Sequence, residues 1–282
     1  MNNIDLLWVL VPPNSFVKDT KKYKYSHPSV KVVFDIIDLW PETMPVGNIK
    51  KVFPFTLWRN FRDKNIRSAD FVVTECSLYS EMLSKVLKSI DHETIYLAKT
   101  NIQYNPHLSL SDDILRLCYL GSVNNIIDID SICRIILYFR NCYNVELHII
   151  GDGEQINELV NKSIASGASV FNHGKIYNRE EKQKIFDKCH YGLNIMKKTV
   201  CVGLTMKSVD YLDLGLPIIN NIKGDTWDIV DKYMIGINYS DNCDLPIKYD
   251  FSMRRNARSF FENELSYDVF RHRIDDILSR LN

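Results

Sequence analysis

The 282 residues hold no apolar run near the roughly 18 that a membrane-spanning helix needs, and the opening MNNIDLLWVLVPP lacks the basic stretch that begins a signal peptide. A cytoplasmic location is the expectation. Net charge is absent too: Lys plus Arg and Asp plus Glu both total 35, which removes any overall case for nucleic acid as a partner. The seven cysteines (Cys76, Cys118, Cys133, Cys142, Cys189, Cys201 and Cys243) include no C-x-x-C pair, and their odd number and scatter read as reduced thiols. No two of the seven histidines stand at H-x-x-x-H or H-E-x-x-H spacing, so no histidine metal cluster is expected. A Walker A sequence is missing, which withdraws ATP hydrolysis. GDGE at 151–154 starts like a dinucleotide fingerprint but lacks the third glycine, which withdraws a nicotinamide cofactor. Neither a repeat of 20–50 residues nor a low-complexity tract occurs.

What is present is an ordinary globular composition, 45% apolar and 25% charged, in a chain long enough for two domains. Charge is uneven locally: between Lys18 and Arg67 stand eleven basic residues and five acidic ones, interleaved with Tyr23, Tyr25, Phe53, Phe55, Trp58 and Phe61. That mixture suits an anionic membrane surface; a solvated basic face with core aromatics is the alternative. Short apolar runs alternate with helix-period segments, the pattern of a parallel sheet covered by helices. In the second half, strands are expected at 114–120, 145–150, 168–172, 190–196, 217–220 and 235–239. Ile129, Ile132, Ile136 and Phe139 fall on one helical face. Asn178 followed by Glu181 marks a helix start, running to Lys188. These units make one complete Rossmann-like domain. In the first hundred residues strands fit at 5–11, 31–37, 70–75 and 94–98, with a helix at 78–90 and 41–67 left unassigned. Four strands make a small domain or one lacking its first units, and 99–112 reads as a linker.

Gly121-Ser122 follows the first strand of the second domain and is expected to lead into a helix whose N-terminus faces phosphate. A simple turn is the alternative. In VGLTMKSVDYLDLGLPII, residues 202–219, Gly203, Leu204 and Thr205 approach a helix whose first turn carries Lys207, so a cation and free backbone donors converge on an anion. Asp210, one turn on, lies on the same side and can take two ribose hydroxyls; a surface Lys207–Asp210 ion pair is the other reading. Gly215 ends the helix before a strand at Ile218.

In order and spacing, LCYLGSV, VELHIIGDGE, VFNHGKI, CHYGLNIM and KSVDYLDLGLPII resemble the donor domain of bacterial glycosyltransferase family 4. FDIIDLWPE at 34–42 resembles a segment of its capsule, O-antigen and exopolysaccharide members, and ARSFFENELSYDVFRHRIDDIL resembles their final helices. The resemblance implies a GT-B fold, α/β with two Rossmann-like domains: an acceptor-side domain at 1–105, incomplete at its start, a nucleotide-sugar domain at 106–262, and a terminal helix at 263–282 packing back on the first. It implies Lys207 on the donor diphosphate, Asp210 on the ribose and Gly121 and Ser122 in the phosphate loop. Gly151, Asp152, Gly153 and Glu154 would border the nucleotide, and Gly174 and Lys175 the base, with Gly203, Leu204 and Thr205 approaching the donor. Asp35 and Asp38 end a strand; Asp38 either acts as a base on the acceptor or shapes the loop before Trp40-Pro41-Glu42.

The implied reaction moves a sugar from a nucleoside-diphosphate sugar to a polyprenyl-diphosphate-linked saccharide at the inner membrane face. Configuration is retained, and neither a cofactor nor a metal takes part, no D-x-D being placed to hold one. Three departures stand out. Val202 replaces the first of two family glutamates, the basic residues after the phosphate-loop glycine are replaced by Ser122 and Asn124-Asn125, and the family's opening strand and glycine-rich acceptor loop have no counterpart. The last allows a split enzyme needing a partner chain, or one that binds donor only. A nucleotide-sugar epimerase and an α/β interaction protein are the remaining alternatives.

Overall fold

The structure, a computed structural model, describes residues 4–44, 47–103, 105–241 and 245–281. Cys243 and Tyr104, the latter within the expected linker, lie outside that description. The chain forms two compact units: Met1–Leu97 with Thr199–Gly203 and Phe270–Asn282, and Ala98–Lys198 with Leu204–Val269. The crossings after Leu97 and Val269 differ from the boundaries read at 105 and 262.

The first unit is a four-stranded parallel sheet in the order β1-β2-β3-β4: β1 (Leu6–Val11), β2 (Lys31–Ile36), β3 (Phe71–Thr74) and β4 (His92–Thr94). Connecting them are α1 (Ser15–Ser26), α2 (Phe55–Asn65), α3 (Ser77–Met82) and α4 (Ser84–Leu87). The strand expected at 94–98 lies earlier because pairing of Val72 with His92 puts polar residues on the sheet edge, where apolar pattern gives no signal. Similarly, the helix expected at 78–90 breaks at buried Leu83, whose φ of −92° and ψ of 2° leave the helical basin. In the unassigned stretch α2 forms behind Pro54 around Arg62, 1% exposed and held by Glu42 (3.0 Å), Asp63 (2.9 Å) and the Trp40 carbonyl (2.9 Å). An apolar stripe of the last helix, α11 (Tyr267–Leu281), meets this unit's sheet: Ile277 is fully buried against Val33, Phe71, Val73 and Ile95, with Phe270 and Ile274 beside it.

The second unit carries β5 (Ile114–Leu120), α5 (Ile129–Phe139), β6 (Asn144–Ile150), α6 (Ile156–Ala165), β7 (Ala168–Asn172) and α7 (Arg179–Phe186). It continues with β8 (Tyr191–Asn194), α8 (Met206–Asp213), β9 (Ile218–Asn220), α9 (Asp225–Tyr233), β10 (Gly236–Asn238) and α10 (Ser252–Phe260). All six strands are parallel, in the order β10-β9-β8-β5-β6-β7. Counted within the unit this is 3-2-1-4-5-6 read from β7, the doubly wound arrangement whose order reverses between β5 and β8. Ligands bind such sheets at the carboxyl ends of the strands beside that reversal. The helices begin as their caps dictate: Asn178 Oδ1 accepts from Glu181 N (3.0 Å) at α7. Residues 105–113 are not a free linker, since Ser109 N donates to Asp187 O (3.0 Å) and His107 N to Asp187 Oδ2 (2.7 Å).

Candidate functional site

At the carboxyl edge of the second sheet the loops after β5, β6 and β7 are stitched backbone to backbone. Gly121 N donates to Ile150 O (2.9 Å), Val123 N to Asp152 O (2.9 Å) and Gly151 N to Gly174 O (2.8 Å). Glycine is needed for the closeness of this approach. A Cβ on Gly151 would lie 2.0 Å from Gly121 O, and one on Gly153 2.3 Å from Val123 O. Thus the glycines of GDGE serve packing between loops, and the Gly121 amide is already engaged.

The helix expected directly after Gly121-Ser122 starts only at Ile129, and Asp128 caps it, its Oδ1 accepting from Ser131 N (3.0 Å). That carboxylate occupies the N-terminal end of α5. Thr205 caps α8 by accepting from Ser208 N (3.2 Å) and donating to Asn194 Oδ1 (2.9 Å). At the other end Gly215, φ +62°, closes the helix as Gly215 N donates to Leu212 O (3.1 Å) and Leu216 N to Tyr211 O (2.8 Å). Tyr211 anchors α8 to the central strand, its hydroxyl accepting from Leu120 N (2.7 Å) and donating to Cys118 O (3.1 Å). Gly192 makes room for that ring, for a Cβ there would stand 2.7 Å from it.

Fixed in this way, α8 points Lys207 toward the loops. Its ammonium has under 1 Å² exposed and no hydrogen-bond partner, and lies 4.7 Å from the centroid of the buried Tyr119 ring. Burial pulls its pKa down to about 8. The surface Lys207–Asp210 pair is therefore not formed. Asp210 pairs instead with Lys99 (2.5 Å) and Lys182 (3.6 Å), while Asp213, 1% exposed, takes Lys99 (3.2 Å), Arg179 (2.9 Å) and Arg258 (3.0 Å). This partly buried network fixes α8 through Asp210 and Asp213.

A cavity of about 460 Å³ opens here, within the usual range for ligand pockets. Gly121, Ser122, Gly151, Asp152, Gly153, Lys175, Lys207 and Asp210 are among the residues that line it. Tyr177, Lys182 and Met206 also line it and were not foreseen. Asp152 pairs with Lys175 at 3.4 Å, and the Gly153 N–H and then Lys175 hold its carboxyl below the usual range. Glu154, Gly174, Leu204 and Thr205 are not among the lining residues. His173 Nε2 meets His148 Nδ1 at 3.0 Å, a satisfied turn histidine.

Gly203 and Asp38 belong to the first unit. Asp38 accepts from Trp40 Nε1 (2.7 Å) and from the Thr43 hydroxyl, so both oxygens shape the loop that follows. Reasoning from sequence missed Glu75, one residue beyond β3. Its amide donates to Ile36 O (3.0 Å), and burial, then Asp38 and Asp35, push its carboxyl up to about 7. The signal was there: FDIID and FVVTE both end in acid, and parallel register sets those ends side by side.

No family model matches the sequence, and no curated protein does. Solved structures do match. Sucrose-phosphate synthase of Thermosynechococcus elongatus superposes with a TM-score of 0.72 at 12% identity, covering 98% of this chain and 73% of that one. Anabaena HepE in complex with UDP gives 0.70 at 11%, covering 97% and 78%. The lipopolysaccharide outer core galactosyltransferase WaaB gives 0.64 at 13%, covering 98% and 75%. The fold is GT-B. Identities this low speak to fold alone, and chemistry must come from the site. Among the described residues no helix is long and apolar enough to cross a membrane.

Proposed function

We propose that the chain is a nucleotide-sugar-dependent glycosyltransferase whose second unit binds the donor in the cavity beside α8. One observation carries the reading: the buried, unpartnered Lys207 ammonium at the first turn of α8, lining a ligand-sized cavity at the reversal of the sheet. An unpaired buried cation is costly unless an anion completes it. A diphosphate does so, and helix N-terminus and ammonium then stabilise the charge that grows as it leaves. Asp210, held by Lys99 and Lys182, accepts the ribose hydroxyls. Related folds support a diphosphate ligand, for HepE was crystallised with UDP and with UDP-glucose, and pneumococcal GtfA with UDP and GlcNAc.

The finer reading rests on the resemblance of the sequence blocks. It is a retaining transfer, without metal or other cofactor, to a polyprenyl-diphosphate-linked saccharide in cell-surface polysaccharide synthesis. It takes place at the cytoplasmic face of the membrane, with a partner chain completing the acceptor side if one is needed. Incubation with UDP- and GDP-sugars and membrane lipid extract, measuring nucleoside diphosphate release beside calorimetric binding, tests both levels. Binding with lipid-dependent release is the expected result. Binding without release under every acceptor condition would favour a donor-binding chain, and no binding of either diphosphate would sink the proposal.

A further inference from the structure

A cavity of about 1020 Å³ opens on the first unit, lined by Lys18, Lys21, Lys22, Lys24, Tyr25 and Arg67 among others. Lys18, Lys21, Lys22 and Tyr25 stand at i, i+3, i+4 and i+7 of α1, one continuous stripe, while Val17 and Thr20 are buried on the other side. Few carboxylates answer these charges. Lys24 pairs with Asp70, and Lys22 reaches Asp19 only at 3.8 Å with both side chains about two-thirds exposed. Lys18 Nζ lies 5.3 Å from the Phe61 ring centroid. Neither Lys21 nor Arg67 has an ion pair among the described residues, and Tyr25 is 89% exposed.

The chemistry favours an extended anionic surface over a small soluble anion. Lysines are point charges on flexible stems, suited to a diffuse field of headgroups and poorly suited to fixing one ligand. No buried, unpartnered polar side chain lies among the lining residues to read a particular molecule. An exposed tyrosine at the end of the stripe has the amphipathic ring that settles at a membrane–water boundary. We propose that this face of α1, with Arg67, docks the protein on an anionic bilayer. The proposal takes its purpose from the reading of a membrane-borne acceptor and its evidence from the charge geometry alone.

Sedimentation with phosphatidylcholine vesicles, with and without phosphatidylglycerol, tests it on the whole protein. Wild type should sediment only with the anionic vesicles and be released by salt. The triple variant Lys21→Glu, Lys22→Glu, Arg67→Glu should bind them more than about a hundredfold less tightly while nucleoside diphosphate binding, a property of the other unit, is unchanged. Should the reversal disturb folding, the neutral pair Lys21→Gln, Arg67→Gln should still lose roughly thirtyfold. Any of three results would overturn the proposal: no affinity for anionic vesicles, equal affinity for neutral ones, or undiminished binding by folded variants. Displacement from vesicles by micromolar inorganic diphosphate would do so as well, by showing a site for a soluble anion.

Discussion

In the second unit the carboxyl edge of the sheet is made from glycine and presents an unpaired cation, whereas in the first the corresponding edge is made from proline and tryptophan and presents three carboxylates. Gly47 is the only glycine before Gly121, and a Cβ added to it would meet nothing within 4 Å. Beyond β1 and β2 the first unit instead has Pro12, Pro13, Trp40 and Pro41, with the Asn14 amide bonded to the carbonyls of Trp40 (2.9 Å) and Trp58 (3.1 Å). Glycine lets strand-end loops touch through their backbones and brings main-chain groups close to a ligand. The proline-aromatic loop instead engages side chains: Trp40 Nε1 and the Thr43 hydroxyl donate to Asp38, beside Glu75. One parallel-sheet plan therefore carries edges of opposite character, one with the buried Lys207 ammonium and one with Asp35, Asp38 and Glu75.

The comparison breaks most visibly at Gly151. Gly151→Ala places a Cβ on the Gly121 carbonyl at a φ of +154°, so denaturant unfolding should show a loss of about 3–5 kcal/mol from strain and overpacking together. A loss under about 1 kcal/mol would mean the loops are not locked as described.

Protonation sharpens the contrast in charge. Because burial pulls the Lys207 pKa down to about 8, the ammonium that an anion needs is lost as pH rises through that value. Nucleoside diphosphate affinity should therefore fall about tenfold between pH 7 and pH 9, with nucleoside affinity flat. Glu75 works the other way. Its carboxyl is raised from 4.5 to about 7, so the protonated form is favoured in the fold, and the stability it supplies is present below about 4.5 and lost as pH rises through 7. Thermal melts of Glu75→Gln should accordingly be less dependent on pH, and the variant more stable than wild type at pH 8 by about 1 kcal/mol, a figure reduced for its partial exposure. Asp210→Asn should have the smallest effect, a loss of about threefold to fivefold in affinity for nucleoside and nucleotide alike, read by calorimetry.

Much of the second unit was legible because its signals are local. Strands 114–120 and 168–172, the Asn178 cap and the Gly215 closure each depend on residues a few positions apart. That Lys207, Gly121, Gly151 and Asp210 share one cavity was legible from the ordered blocks. Partnerships across long stretches of chain left no such trace. Lys99 reaches Asp210 across 111 residues, and Arg62, an ordinary surface residue by composition, is buried by its bonds to Glu42 and Trp40. Asp128 was hidden for a different reason: a helix expected at Gly121 begins eight residues later, and its capping carboxylate takes the place assigned to phosphate. In the first unit β1, β2 and β3 were legible, and the difficulty lay in the proline-aromatic segment, which has neither helical nor strand periodicity.

The central claim is that Lys207 is an unpaired cation awaiting a diphosphate, and titration calorimetry of wild type and Lys207→Ala tests it most directly, with uridine and guanosine diphosphates each set beside its nucleoside. The account predicts that the variant loses about 1.5–3 kcal/mol of diphosphate affinity, roughly ten- to more than hundredfold, and keeps its nucleoside affinity. Equal diphosphate affinity in the two proteins, with wild type binding, would contradict it.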